Sequence, residues 1–320
     1  MSVVALEKPA PAAQRAGGRA RLLGIDVGYG YVKAVSDVGT RVCFPSVAAP
    51  AAADPLAGVL GDGTGHRVRV RTLNGRVTEH LVGEAALRSL HAQSFLGKDK
   101  PADLHDLFVL AAARLVDAGG SGPLPRQTAL ALGLPLSFYR SQKAALVRRI
   151  EALQVWVSVD GGPEAYLSFG PIAVFPQGAG AVLAHSDLLP GEDMVAVVDT
   201  GCYTVDYLLF EVQNGQPVPV PEACGSLEAG VHLVVKDLAA AFEAEAGAPL
   251  PARMHQRVLD AAREGKPVFH FGREIDLTAA FRESTTRTAR LIARQVASRW
   301  ADWTGFIRAT ILCGGGVLLL

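Results

Sequence analysis

The sequence predicts an α/β protein made of two copies of one unit. Three observations carry that expectation. LLGIDVGYGYVKAVS is an apolar run ending at Asp26, a break at Gly28-Tyr29-Gly30, and a second apolar run through Val32 and Val35. MVAVVDTGCYTVDYLLFEV repeats the pattern about 170 residues later, with Asp199 at the end of its first run and a turn at Gly201. The chain then closes on ATILCGGGVLLL, an apolar strand running into three glycines.

Taken in order, residues 1–20 are rich in Ala, Pro, Gly and Arg without apolar periodicity and read as a flexible tail. A first lobe spans 21–172. Its strand, turn and strand are followed by a third extended piece, RVCFPSVAAP, closing at Pro45. Residues 50–100 alternate and are Gly-rich, with Asn74-Gly75 between two β-like runs, as expected for a hairpin in a small inserted subdomain. Leu107, Leu110, Ala111 and Leu115 recur at helical spacing and predict a core helix over 103–118. QTALALGLPL reads as a buried strand, and SQKAALVRRIEAL as an amphipathic helix capped by Ser141.

A second lobe spans 173–320. It contains a helix near 231–246, a Pro/Gly break at 247–251 and a smaller insert over about 243–277. A long helix over 277–303 carries Ile292, Val296, Trp300 and Trp303 as one stripe.

Composition narrows the function. Basic and acidic residues number 31 each, so no chain-wide field favours a polyanion and strong direct nucleic-acid binding is not expected. Cys43, Cys202, Cys224 and Cys313 are far apart and form no C-x-x-C pair, which suits a reducing cytoplasm. No apolar run reaches the roughly 18 residues of a membrane helix, and no secretory leader is evident, so a soluble protein without a membrane partner is expected. The eight histidines show no metal-binding spacing. Arg67, Arg69 and Arg71 alternate on one strand face, and Arg287, Arg290 and Arg294 share a helical face; each set reads either as a partner surface or as a solvated face.

Three constellations carry chemistry. In Asp26, Gly28, Tyr29, Gly30, Tyr31 and Lys33, a glycine turn can aim backbone N–H groups at a phosphate, Lys33 adds a point charge, and Asp26 can hold hydrated Mg²⁺ beside it. Asp199, Thr200, Gly201, Cys202, Tyr203, Thr204 and Asp206 offer the same parts, with two hydroxyls added. Gly314, Gly315 and Gly316 lack side chains, so their backbone can lie flat against a base or ribose. Each constellation alone also reads as an ordinary turn; their order within one chain is the signal.

On these residues the chain resembles the actin-like ATPase superfamily over most of its length after the tail. DVGYGYVKA, CFPS, LVGEAAL and GSLEAGVHLVVKDL are similar to segregation actins of the ParM/StbA type, and DTGCYTVDYLLF is similar to the actin-like D proteins of the PRTRC plasmid cassette. The resemblance implies two duplicated ribonuclease-H-like lobes with a nucleotide cleft between them, binding ATP (or GTP) with Mg²⁺. Asp26 to Lys33 would be the first phosphate loop, Asp199 to Asp206 the second, and Gly314 to Gly316 the adenosine motif. Asp26 and Asp199 would carry the metal through water.

The resemblance also draws Gln177 out as the residue that orients the attacking water, although it equally reads as an exposed loop position beside Pro176. An amide accepts a hydrogen bond but takes up a proton poorly, so slow hydrolysis is expected. Head-to-tail filaments and plasmid segregation through a DNA-binding adaptor are implied as well. Two departures stand out: Cys202 and Tyr203 replace the usual glycines, and the sequence ends at Leu320, where relatives continue with a helix. The competing readings are a small-molecule, sugar-type kinase, with Asp187, Glu192 or Asp193 as base, and a non-polymerising nucleotide-gated binding protein.

Overall fold

The computed structural model describes residues 2–5, 22–51, 65–95, 100–117, 128–185 and 193–320. The chain divides between Pro176 and Gln177 into two compact units, and the strand β1 (Ser2–Ala5) belongs to the C-terminal one.

In the N-terminal unit β2 (Leu22–Val27) and β3 (Tyr31–Ser36) form the expected hairpin. β4 (Arg41–Pro45) follows antiparallel to β3, and Ser46 separates it from β5 (Val47–Pro50). The hairpin expected at Asn74-Gly75 is present as β6 (His66–Thr72) and β7 (Val77–Val82). Helix α1 (Glu84–Leu87), β8 (Gln93–Ser94) and helix α2 (Ala102–Val116) come next. α2 is buried on nearly every side, and Phe108, Val109, Ala111, Ala112 and Ala113 have no exposed surface, which is what an all-round apolar helix requires.

The unit is completed by β9 (Thr128–Leu134), helix α3 (Leu136–Glu151), β10 (Gln154–Val159) and β11 (Ala165–Pro176). All ten strands join in the order β4-β3-β2-β9-β11-β10-β6-β7-β5-β8.

Three expectations change here. The described part of 50–100 is not a separate body. β11 pairs antiparallel with β10 through its first residues and parallel with β9 through its last, and β10 pairs in turn with β6. Val68, Val70 and Val82 therefore enter the same core as Phe108. The division falls after 176 rather than 172, because β11 stays paired to β9 up to Pro176↔Leu134. Ser141 does not cap α3: the helix starts directly after Pro135, and Ser141 Oγ donates to the Phe138 carbonyl from inside it.

The C-terminal unit opens with helix α4 (Ala179–Ala184), followed by the second hairpin, β12 (Met194–Thr200) with β13 (Val205–Gln213). β14 (Gln216–Pro219) and β15 (Gly225–Leu227) both pair with β13. Helix α5 (Val231–Ala246) matches its expected range, and helix α6 (His255–Arg263) follows it. The hairpin of β16 (Val268–His270) and β17 (Arg273–Ile275) leads to helix α7 (Thr278–Arg299) and β18 (Ile307–Cys313).

The main sheet runs β1-β18-β12-β13-β14. β12 and β13 are antiparallel, β18 lies parallel to β12, and β1 lies parallel to β18. This is the pattern of β11-β9-β2-β3-β4 in the other unit, strand for strand and direction for direction. Residues 2–5, expected within a flexible tail, thus take the place that β11 takes in the first copy; the rest of that expected tail lies outside the described residues.

α7 ends at Arg299, four residues short of the expected range, yet the expected stripe packs inward: Ile292, Val296 and Trp300 lie with Tyr207 and Leu209, and Trp303 is half-buried beside them. Trp300 Nε1 donates to the Ala223 carbonyl at 2.8 Å, and its ring meets Tyr207 edge-on at 6.2 Å. Trp300→Phe leaves that carbonyl without its donor and should cost about 1–3 kcal/mol. Thermal unfolding followed by circular dichroism should show the transition several degrees lower.

Candidate functional site

The first turn is built by the β2–β3 register. Asp26 lies directly opposite Lys33, so their side chains share a face, with Lys33 Nζ 3.8 Å from Asp26 Oδ2. Both side chains are more than a third exposed, so the pair adds little stability. The Gly28 N–H donates to the Tyr31 carbonyl at 3.1 Å, and a β carbon on Gly28 would sit 2.7 Å from that oxygen. Any side chain at 28 would prise the bond open.

Behind the turn lies Ser46, fully buried between β4 and β5. Its Oγ donates to the Gly28 carbonyl at 2.7 Å and its N–H to the Gly30 carbonyl at 2.9 Å. In a trans peptide, C=O and N–H point opposite ways, so holding these carbonyls back directs the Tyr29 and Tyr31 N–H groups away from Ser46. Lys100, a residue the sequence reading missed, donates to the Val27 carbonyl and places its ammonium 4.4 Å over the Tyr29 ring.

The second turn repeats the device. Gly201 N–H donates to the Thr204 carbonyl at 2.9 Å, and a β carbon on Gly201 would lie 2.9 Å from that oxygen. Here the carbonyls are held by the start of α5: Val231 N–H donates to Gly201 at 3.3 Å and His232 N–H to Cys202 at 2.9 Å. His232 Nδ1 also lies 2.9 Å from the Cys202 carbonyl, which can only accept, so Nδ1 carries the hydrogen. Cys202 and Tyr203 are seated by this contact. Tyr203 stacks on the His232 ring at 5.0 Å, and burial pushes the Cys202 thiol up to about 11, so it stays protonated at neutral pH.

Asp199 and Asp206 occupy the cross-strand place of Asp26 and Lys33. Asp206 is 3% exposed and accepts a hydrogen bond from Ser226 Oγ, which sets it deeper than the other candidates. Thr200 is also buried, whereas Thr204 is half-buried. β18 runs beside β12 with Cys313 in register with Asp199. Gly314, at φ +89°, follows it so closely that a β carbon there would overlap Asp199 Oδ1 and the Thr200 carbonyl. Gly315 begins a short 3-10 turn, Gly315–Leu318, and Gly316 packs on Thr200. A β carbon on Gly178 would lie 3.3 Å from Asp199 Cβ, so the Gln177-Gly178 turn abuts the same aspartate. Within the C-terminal unit, then, Gln177, the Asp199–Asp206 turn and Gly314–Gly316 converge, while Asp26–Lys33 forms its own turn in the N-terminal unit.

These donors suit a hydrated Mg²⁺. They are carboxylate and hydroxyl oxygens, and two aspartates directly opposite on one strand face repel unless a cation offsets them. Among the described residues no group of three or more His, Cys, Asp or Glu gathers as a metal cage.

Four of the six arginines on the two expected faces are ion-paired. Arg67 and Arg69 reach Glu79, Arg71 reaches Glu164 at 2.6 Å, and Arg287 reaches Asp237 and Glu283. Ser46→Ala strips the half-buried Gly28 carbonyl of its buried partner and should lower stability by about 1–3 kcal/mol. Chemical denaturation read by Trp fluorescence checks that cost.

Comparison with known proteins follows the same division. The family described as actin like proteins N terminal domain matches residues 24–180, and that described as archaeal actin homologue MreB-like, C-terminal, matches 197–320. Archaeal actin homologs of Thermoplasma volcanium and Thermoplasma acidophilum are each 26% identical over 244 residues, which is 74% of this chain and 71% of theirs. Among solved structures, a 15-stranded ParM filament from Clostridium botulinum is similar at TM-score 0.83 and 24% identity, covering 95% of this chain and 90% of that one. An archaeal actin homolog in complex with ADP is similar at 0.71 and 22%, covering 93% and 88%. ParM of Bacillus thuringiensis with ATP is similar at 0.63 and 18%, covering 93% and 89%. With both halves matched in order over nearly the whole chain, and with the duplicated sheet to go with them, the protein belongs to the actin-like ATPase superfamily.

Proposed function

We propose that this chain binds one Mg-nucleotide, ATP or GTP, through both turns, hydrolyses it slowly and assembles into filaments. The observation that carries the reading is the repeated turn: in each unit an aspartate is followed by a glycine whose N–H closes on the carbonyl three residues on. Carbonyls held to the rear leave a concave set of N–H groups, the recurring backbone solution for phosphate oxygens. Relatives in fold that were solved with ADP, with ATP and as a filament support nucleotide binding and assembly.

Each residue then has a role. Asp26 and Asp199 hold the hydrated metal, which when bound neutralises phosphate charge. Lys33 contributes a point charge beside the first turn, and the Thr200 and Thr204 hydroxyls serve the second. Gly314 to Gly316 present bare backbone to the adenosine. Gln177 orients water by accepting one of its hydrogens, and its weak basicity keeps hydrolysis slow. Asp206, bonded to Ser226, supports the second turn from within. We further propose a cytoplasmic role in plasmid or other DNA segregation; the balanced charge leaves the DNA contact to an adaptor protein.

The kinase reading gains nothing from the structure. Asp187 and Glu192 lie outside the described residues, and Asp193 is ion-paired with Arg308 at 2.8 Å. No helix among the described residues is long and apolar enough to cross a membrane.

Sedimentation of the purified chain across a concentration series, with and without Mg-ATP, tests the proposal. Pelleting and phosphate release that both depend on nucleotide are expected. Nucleotide binding with neither would leave a non-polymerising binding protein. Asp199→Ala should reduce turnover by at least about a hundredfold, a loss of roughly 3 kcal/mol in barrier lowering; wild-type turnover in that variant would remove Asp199 from the site.

A further inference from the structure

The β16–β17 hairpin carries a residue choice that its own fold does not favour. Pairing runs Val268↔Ile275, Phe269↔Glu274 and His270↔Arg273, leaving Phe271-Gly272 as a two-residue loop. Both loop residues have positive φ, +48° and +79°, the mark of the mirror-image turn that matches strand twist. Asn-Gly or Asp-Gly normally supplies it, because most β carbons crowd the following carbonyl in this region, at a cost of about 1–2 kcal/mol. Phe271 bears that strain while 93% exposed, and Phe269 is 72% exposed. His270 turns the other way and meets Phe242 of α5 edge-on at 5.2 Å, so the hairpin is anchored while its aromatic pair faces outward.

The surroundings narrow the occupant. Lys266 is paired with Glu264 at 2.7 Å, and β17 carries one basic and one acidic residue, with Glu274 cross-strand from Phe269, so the knob has no basic excess to draw it to an anionic membrane or nucleic acid. Copies of a chain with 31 basic and 31 acidic residues do not repel one another through net charge. Two phenylalanines can bury on the order of 300–400 Å². That is well short of the roughly 800 Å² per partner of a stable pair, and it suits one element of a contact repeated along an assembly.

We propose that Phe269 and Phe271 form an aromatic knob that inserts into an apolar seat on a second copy of this chain. The proposal rests on the self-assembly reading above. Knob and seat are different surfaces, so the contact is heterologous and propagates rather than closing a dimer.

Phe271→Asn tests it, because asparagine suits the turn and should leave the melting temperature unchanged or higher. In the full chain with Mg-ATP, the concentration at which pelleting begins should rise by roughly tenfold or more. Affinity for a fluorescent ATP analogue should change by less than about twofold, since the hairpin is not part of either turn. Phe269→Thr should shift pelleting in the same direction. An unchanged pelleting threshold in Phe271→Asn overturns the knob and leaves the assembly reading intact. A wild-type chain that binds nucleotide but never pellets overturns both. Wild-type binding to phosphatidylcholine–phosphatidylglycerol vesicles that Phe271→Asn abolishes would assign the hairpin to a membrane and overturn the proposal.

Discussion

One hydrogen bond, made twice, organises the candidate chemistry: the amide of a glycine two residues past an aspartate closes on the carbonyl three residues further on. The bond fixes where each hairpin turns, and thereby which residues face each other across it. In the first hairpin that register sets Asp26 beside Lys33; in the second it sets Asp199 beside Asp206. The glycine requirement follows from the same geometry, because a β carbon at either position would press on the accepting oxygen. The two units solve the remaining problem differently. A buried serine holds the first turn's carbonyls, and the opening amides of a helix hold the second's.

The duplication extends from the turns to the sheets. Each unit places its hairpin at the centre of a five-strand pattern with the same order and directions. The N-terminal copy obtains its outer parallel strand from β11; the C-terminal copy obtains it from residues 2–5. A strand of four residues pairing with one that begins at Ile307 is the most non-local strand pairing among the described residues, and it ties the first of them to the C-terminal unit's main sheet.

What the sequence revealed and what it hid divide along the distance between partners. The hairpins, α2, α5 and the Trp300 stripe were legible because apolar periodicity and a breaking glycine are local signals. Residues 2–5 were not, because SVVA is too short to show a period and its partner lies some 300 residues away. Ser46 and His232 sat inside quoted motifs without a role, since what they do is hold carbonyls 18 and 30 residues distant in sequence. Lys100 reaches back 73 residues to Val27, and no pattern announces such a contact. Asp206, at the end of the second loop, also accepts a hydrogen bond from Ser226, a partner 20 residues on that no local pattern marks. Cys202 and Tyr203 are compatible with the turn, because the bond that closes it is made by Gly201 and the Tyr203 ring stacks on the His232 imidazole.

The proposed function assigns phosphate binding to both turns. Calorimetric titration of ATP in the presence of Mg²⁺, on the wild-type chain and on Gly28→Ala and Gly201→Ala separately, tests it most directly. One nucleotide per chain is expected, with both substitutions weakening binding by at least about tenfold, or 1.4 kcal/mol. Two nucleotides per chain, or undiminished affinity in either variant, would contradict it.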